Sequence, residues 1–206
     1  MDILTESYYA ANAGACSASY EAASVGSLHE LLRSLASPAV HVLEIGGGSG
    51  RDAAFLVQLG CDTTYTDGCE EMVAQAVKLH PELASKARVA SFPLADDDQL
   101  LKERYDMVLC AAVIMHLDDG CLERLTSQMT KLVALGGHLV LSHSFGREHH
   151  RDRRDTNGRL FLERPPATID GIFEARGFLA ERLIEDRDGL GRPNIRWTTH
   201  LLQKVP

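Results

Sequence analysis

The stretch Glu44-Ile45-Gly46-Gly47-Gly48-Ser49-Gly50 sets an acid two places ahead of a glycine-rich turn. Glycine lets the backbone bend through left-handed angles, and it lets a ligand approach without meeting a side chain. A helix beginning beyond Gly50 aims unpaired N–H groups at whatever lies there, the carboxylate of an amino acid as readily as a phosphate. Asp67 closes the next strand-like run. A carboxylate accepts two hydrogen bonds from a vicinal diol, so Asp67 fits the sugar of a nucleoside. The dinucleotide fingerprint G-x-G-x-x-G would need glycine at position 51, where Arg51 stands instead.

Residues able to act on a substrate come later in the chain. His116, in Val113-Ile114-Met115-His116-Leu117, could take a proton from a hydroxyl or acid nucleophile, or simply bond its own loop. His143 and Arg147 follow the fifth strand at the same mouth, where an arginine either grips an anion bidentately or forms a solvated rim. His143 with His149 and His150 matches no firm metal spacing, and Asp96-Asp97-Asp98 reads as a polar helix start, so no metal is expected. Trp197, the sole tryptophan, reads as core, and Arg192 in its glycine-proline loop reads as exposed.

These residues need a frame. Leu28, Leu31, Leu32 and Leu35 recur at helical spacing before Val40 to Ile45, a short apolar strand. A helix with Asp52 in its first turn and Gly60 as its stop follows, then the strand from Asp62 to Asp67. A helix opened by Glu70 and Glu71 closes before Pro81. Residues 88–92 and 105–110 are further strands, and a helix carrying Leu122, Leu125, Met129 and Leu132 leads to a fifth at 138–142. Alternating strand and helix calls for a parallel sheet covered on both faces. The tail differs: residues 178–186 and 195–205, joined through Gly189-Leu190-Gly191-Arg192-Pro193-Asn194, read as an antiparallel hairpin. Residues 147–166 are one long irregular insertion.

Composition narrows the classes. The 206 residues, 45% hydrophobic and 24% charged, suit one globular domain. Lys plus Arg number 21 against 29 Asp plus Glu, a formal net charge of -8. A nucleic-acid partner is therefore disfavoured, and the arginines at 147, 151, 153 and 154 are interleaved with Glu148, Asp152 and Asp155. The five cysteines form no C-x-x-C pair and read as buried, reduced thiols. The opening residues lack a signal-peptide pattern and no run is long enough to span a bilayer, so a cytoplasmic location is expected.

On these residues the chain resembles the class I S-adenosylmethionine (SAM)-dependent methyltransferases. Residues 44–50 look like their first motif, Asp67-Gly68 like their ribose-binding second motif, and the closing hairpin like their final antiparallel strand. The resemblance spans residues 40–205. It implies a Rossmann-like three-layer α/β/α sandwich, with a seven-stranded, mostly parallel sheet whose last strand is antiparallel. It implies a single domain over 1–206, comprising an N-terminal helical lid at 1–38 and a SAM-binding core at 39–206.

Carried over by position, Glu44 would support the turn, and Gly46, Gly47, Gly48 and Gly50 would line the methionine part of SAM. Asp67 would hold the ribose, Gly68 and Met72 would flank the adenine, and Leu94 or Asp96 would reach it from the loop after the third strand. Ala111 and Ala112 would lie under the sulfonium. Tyr8, Tyr9 and Tyr20 fall where the family folds its lid, with Tyr8 and Tyr20 as substrate contacts beside His143 and Arg147. His116 stands where small-molecule methyltransferases often have a histidine before an apolar residue, and it is the candidate catalytic residue. Ala111-Ala112-Val113-Ile114 replaces the N/D-P-P-Y/F of enzymes that methylate amides.

The implied activity is methyl transfer from SAM to an O, N or S atom of a small molecule, releasing S-adenosylhomocysteine (SAH). The alternatives are a non-catalytic SAM-binding sensor or subunit, a methyltransferase for protein or RNA, and, less favoured, an NAD-dependent oxidoreductase. Neither membrane nor nucleic acid is an expected partner. The sequence leaves the oligomeric state open.

Overall fold

A computed structural model describes residues 2–147 and 152–206. Helices α1 (Ile3–Ala22) and α2 (Gly26–Leu35) precede an alternating series. The series runs β1 (His41–Ile45), α3 (Arg51–Gln58), β2 (Asp62–Asp67), α4 (Glu70–Leu79), β3 (Ala87–Val89), β4 (Tyr105–Ala111), α5 (Asp119–Leu132) and β5 (Val133–Phe145). Helix α6 (Pro166–Glu174) and strands β6 (Phe178–Arg187) and β7 (Arg196–Lys204) complete it. The seven strands form one sheet in the order β3-β2-β1-β4-β5-β7-β6. Strands β1 to β5 pair in parallel, and β7 lies antiparallel between β5 and β6. The expected sandwich and its reversed last strand are both present.

The helices stand where caps and periodicity put them. The Asp2 carboxylate accepts the Thr5 N–H to start α1, and Asp118 accepts that of Cys121 to start α5. Strands β1 and β4 are buried on both faces, as a central parallel pair must be. On one face Leu43, Ile45, Val108, Leu139 and Leu141 pack with Leu125 and Met129 of α5 and with Ile169 and Phe173 of α6. On the other, Val42, Met107, Leu109 and Val140 meet Leu31, Leu32 and Leu56 of α2 and α3. Both cores hold the carboxyl ends of β1, β2 and β4 at one edge, where open α/β sheets bind ligands.

Two boundaries depart from expectation. Strand β5 begins at Val133 rather than at residue 138, so Gly136-Gly137 lies within it. Gly137 packs on the Asp106 carbonyl beside a register shift between β4 and β5, which is the close backbone approach that glycine allows. Strand β3 is only Ala87–Val89, because as an edge strand it buries little. Among the described residues no helix is long and apolar enough to cross a membrane, no group of His, Cys, Asp or Glu is arranged to hold a metal, and all five cysteines are free.

Candidate functional site

The glycine turn joins β1 to α3 with left-handed angles at Gly46 (φ +68°), Gly48 (φ +57°) and Gly50 (φ +83°). Asp67 staples it from the neighbouring strand: Gly48 N–H donates to Oδ2 at 2.9 Å and Cys69 N–H to Oδ1 at 2.9 Å. Burial pushes the Asp67 carboxyl up, against the pull of these backbone donors. Each oxygen still has a lone pair to offer, so Asp67 can brace the turn and receive a diol together.

Below the turn Glu44 is buried, and one of its oxygens, Oε2, has no hydrogen-bond partner. Burial, then repulsion from Asp52, holds its carboxyl well above the usual range. Asp52 is buried too, but hydrogen bonds from His29 and Arg51 more than offset that burial and hold its carboxyl low. Arg51 forks onto Asp52 and donates from Nη1 to the Tyr20 carbonyl at 2.5 Å. The residue that breaks the dinucleotide fingerprint thus ties α1 to the turn.

Helix α1 covers the crevice. It kinks at Asn12, whose side chain donates to the Tyr8 carbonyl, and it packs Ala13, Cys16 and Tyr20 against Cys69 and Met72. The insertion closes the other side. Arg154 grips Asp2 through two 2.8 Å bonds, Leu160 N–H donates to Thr5 Oγ1, and buried Arg164 donates to the carbonyls of Ile114 and Leu117. Phe161 and Arg159 are thereby held against the loop that carries His116.

The enclosed space is a cavity of about 750 Å³. Glu44, Gly46, Gly47, Gly48, Asp67, Gly68, Met72, Ala111 and Ala112 line it, with Tyr20, His116 and Arg147. Ala112 sits at φ +63°, a strained angle for a residue with a Cβ, at the tip of the β4 turn.

Other expected residues lie elsewhere. Gly50 faces Leu83 and Ala76, so its missing side chain serves helix packing rather than the cavity. Leu94 is pinned by the Gln128 amide under α5 and Asp96 is exposed, while Ser91 lines the cavity after β3. Tyr8 turns aside under the Arg159 guanidinium at 4.7 Å, and Tyr9, one step along the helix, faces inward. His143 lies within β5, where alternation sends Ser142 to the cavity and His143 to the α6 face. There its Nε2 meets His200 Nε2 at 3.1 Å, and His200 Nδ1 meets Asp170 of α6 at 2.6 Å. His149 and His150 lie outside the described residues. Arg192 and Trp197 line the cavity, both held by Asp188, although their sequence context suggested rim and core.

His116 has a defined tautomer. Nδ1 lies 2.6 Å from the Leu160 carbonyl, which can only accept, so Nδ1 carries the proton. Nε2 is therefore bare and accepts from the Tyr9 hydroxyl at 3.0 Å. Burial pulls its pKa down to about 4.

A family model described as "Methyltransferase domain" matches residues 43–139. Among curated proteins, the chain is 35% identical over 102 residues to the beauvericin nonribosomal cyclodepsipeptide synthetase of Beauveria bassiana. That alignment takes in 47% of this chain and 3% of the synthetase, so the chain corresponds to a small part of that relative. Among solved structures, the SAM-bound magnesium protoporphyrin IX methyltransferase of Synechocystis PCC 6803 superposes with a TM-score of 0.71 at 17% identity, covering 100% of this chain and 98% of that one. The 1,6-didemethyltoxoflavin-N1-methyltransferase of Burkholderia thailandensis, with 1,6-didemethyltoxoflavin and SAH bound, gives 0.68 at 18% identity over 96% and 80%.

Proposed function

We propose that the chain is a class I SAM-dependent methyltransferase, a cytoplasmic enzyme moving a methyl group from SAM to a small-molecule acceptor. The observation that carries this is the Asp67-stapled turn opening on one cavity, with the free Glu44 oxygen beneath it. That arrangement fits an adenosyl amino acid: a carboxylate for a diol and bare backbone for the methionine part, with the buried Glu44 carboxyl supporting the turn from below. Gly46 and Gly48, Asp67, Gly68 with Met72 and Ser91, and Ala111 with Ala112 would hold its methionine part, ribose, adenine and sulfonium respectively. Bound SAM supplies an activated methyl whose C–S bond breaks as an acceptor lone pair forms the new bond.

The protein's share is alignment and exclusion of water, with residues 1–38 serving as the lid. About 750 Å³ leaves room for a small acceptor beside the cofactor. The two similar structures named above act on a porphyrin and on a toxoflavin precursor, both small molecules. Arg154 and Arg159 of the insertion are already paired with Asp2 and Asp155.

Binding is checked by thermal shift. At about a hundredfold over its dissociation constant, SAH should stabilise the protein by about 2.7 kcal/mol. For a chain of this size that is a rise of about 5–10 °C. NAD should give none, and equal shifts from both would remove the methyltransferase reading.

We assign His116 to positioning Tyr9, whose hydroxyl faces the acceptor, rather than to direct proton uptake. A histidine that charges only near pH 4 is a weak base at neutrality. Nitrogen NMR of the His116 ring should show the Nδ1–H neutral form down to about pH 5, with Tyr9→Phe shifting the Nε2 signal. A midpoint near 6.5 would return His116 to the role of general base. The sign for folding follows. The folded pKa lies below the unfolded one, so the neutral ring contributes stability above about pH 6.5 that is lost as pH falls towards 4.

A further inference from the structure

Outside the main cavity lies a second chamber of about 360 Å³. Four side chains line both spaces: Arg147, Arg159, Arg192 and the ring of Phe161. Two of these arginines are already neutralised. Arg159 places Nε and Nη2 on Asp155 Oδ2 at 2.9 and 2.7 Å, and Arg192 forks onto Asp188 at 2.9 and 2.6 Å.

Arg147 differs. Its guanidinium lies over the Phe161 ring at 4.0 Å, and Nε donates to Ser144 Oγ at 3.1 Å. Its two terminal nitrogens meet no acceptor among the described residues. Glu163 takes the Arg147 main-chain N–H rather than the guanidinium, and the nearby acids Asp155 and Asp188 are taken up by Arg159 and Arg192. Burial, then the nearby positive charges of Arg192 and Arg159, lowers the Arg147 pKa to about 10, as expected where cations outnumber their partners.

We propose that the methyl acceptor is an anionic small molecule whose carboxylate or phosphate is seated on the free edge of Arg147, at the junction of the two chambers. This rests on the acceptor sharing the cavity assigned above to SAM. A guanidinium stacked on an aromatic ring presents its remaining N–H donors as a fixed fork, which matches a planar or tetrahedral oxyanion bidentately. Arg159 and Arg192, held by their aspartates, flank it and leave Arg147 as the guanidinium with free donors. Phe161, Tyr9 and Met115 offer the acceptor's body an apolar wall.

Trp197, the sole tryptophan, lines the same cavity and reports occupancy by fluorescence. Benzoate, phenyl phosphate, phenol and benzylamine are titrated with and without saturating SAH, while calorimetry measures SAH itself. Benzoate or phenyl phosphate should quench saturably at millimolar levels or below, and the stronger of the two identifies the oxyanion. Phenol and benzylamine should bind at least tenfold more weakly. Arg147→Gln should weaken the preferred anion by about tenfold to a hundredfold, the loss of charge-assisted bonds. Arg147→Lys should recover part of that, and it serves alone if the glutamine variant does not fold.

Neither anion outcompeting phenol, or an unchanged midpoint in both variants, overturns the proposal even where SAH binds normally. Loss of SAH heat with anion binding intact strikes the methyltransferase reading instead.

Discussion

Asp67→Ala should lower SAH affinity by about a hundredfold to ten-thousandfold, the cost of two hydrogen bonds to a charged acceptor at about 1.5–3 kcal/mol each. It should also destabilise the unliganded protein, because Gly48 and Cys69 would lose the oxygens that receive their N–H groups. Asp67→Asn is not a mild alternative. One carboxylate oxygen would become an NH2 facing a backbone N–H, donor against donor. Both variants should therefore fail in the same calorimetric titration. A full-sized heat from Asp67→Ala would mean that the sugar is held elsewhere, and the assignment of the turn would fall with it.

The part of the site legible in the sequence is local. Strand, glycine turn, helix and acid follow one another within residues 40–67, so their relative placement is set by a few φ angles and one parallel pairing. What was not legible depends on contacts between distant segments. Arg159 and Phe161 lie in an insertion without periodicity, and it is Asp2, Thr5 and Ile114, far away in sequence, that fix their direction. Asp188 holds Arg192 and Trp197 from four and nine residues away, through a loop whose turns have no periodicity to reveal it.

Other differences have a simple geometric origin. His143 was placed beyond β5, but the strand runs on to Phe145, and period-two alternation then carries the ring to the opposite face. Tyr8 and Tyr9 differ by one step on a helix, about 100° of rotation, which no spacing argument resolves without knowing what α1 covers. Ser91 was missed because β3 ends at Val89, so the chain leaves the edge of the sheet three residues earlier than the expected strand over 88–92. That brings Ser91 beside Gly68, and it leaves Leu94 to close the core.

The glycines of the turn do different work, and the largest loss of stability is expected where no ligand is involved. Gly47→Ala should cost about 2–4 kcal/mol, lowering the melting temperature by roughly 5–15 °C. A Cβ at Gly47 would not enter the crevice. It would point down onto the Glu44 carboxyl group and to within 2.5 Å of the Tyr65 ring. Neither neighbour can retreat. Tyr65 is fully buried and its hydroxyl donates to the Gly48 carbonyl at 2.7 Å, while Glu44 is buried under the turn itself. Gly48→Ala meets the Tyr20 ring at 3.3 Å and the Met72 methyl at 3.8 Å, so its main cost is the strain of φ +57°, about 1–2 kcal/mol. Its Cβ would stand in the space assigned to the cofactor. The two substitutions should therefore separate, the first failing in thermal melts and the second in SAH titration. Gly171→Ala, on α6 with nothing within 4 Å of the added carbon, supplies the reference and should gain up to about 1 kcal/mol. If Gly47→Ala melts with the parent, the floor formed by Glu44 and Tyr65 yields, and the acid of the first motif is not the rigid support on which the turn is argued to rest.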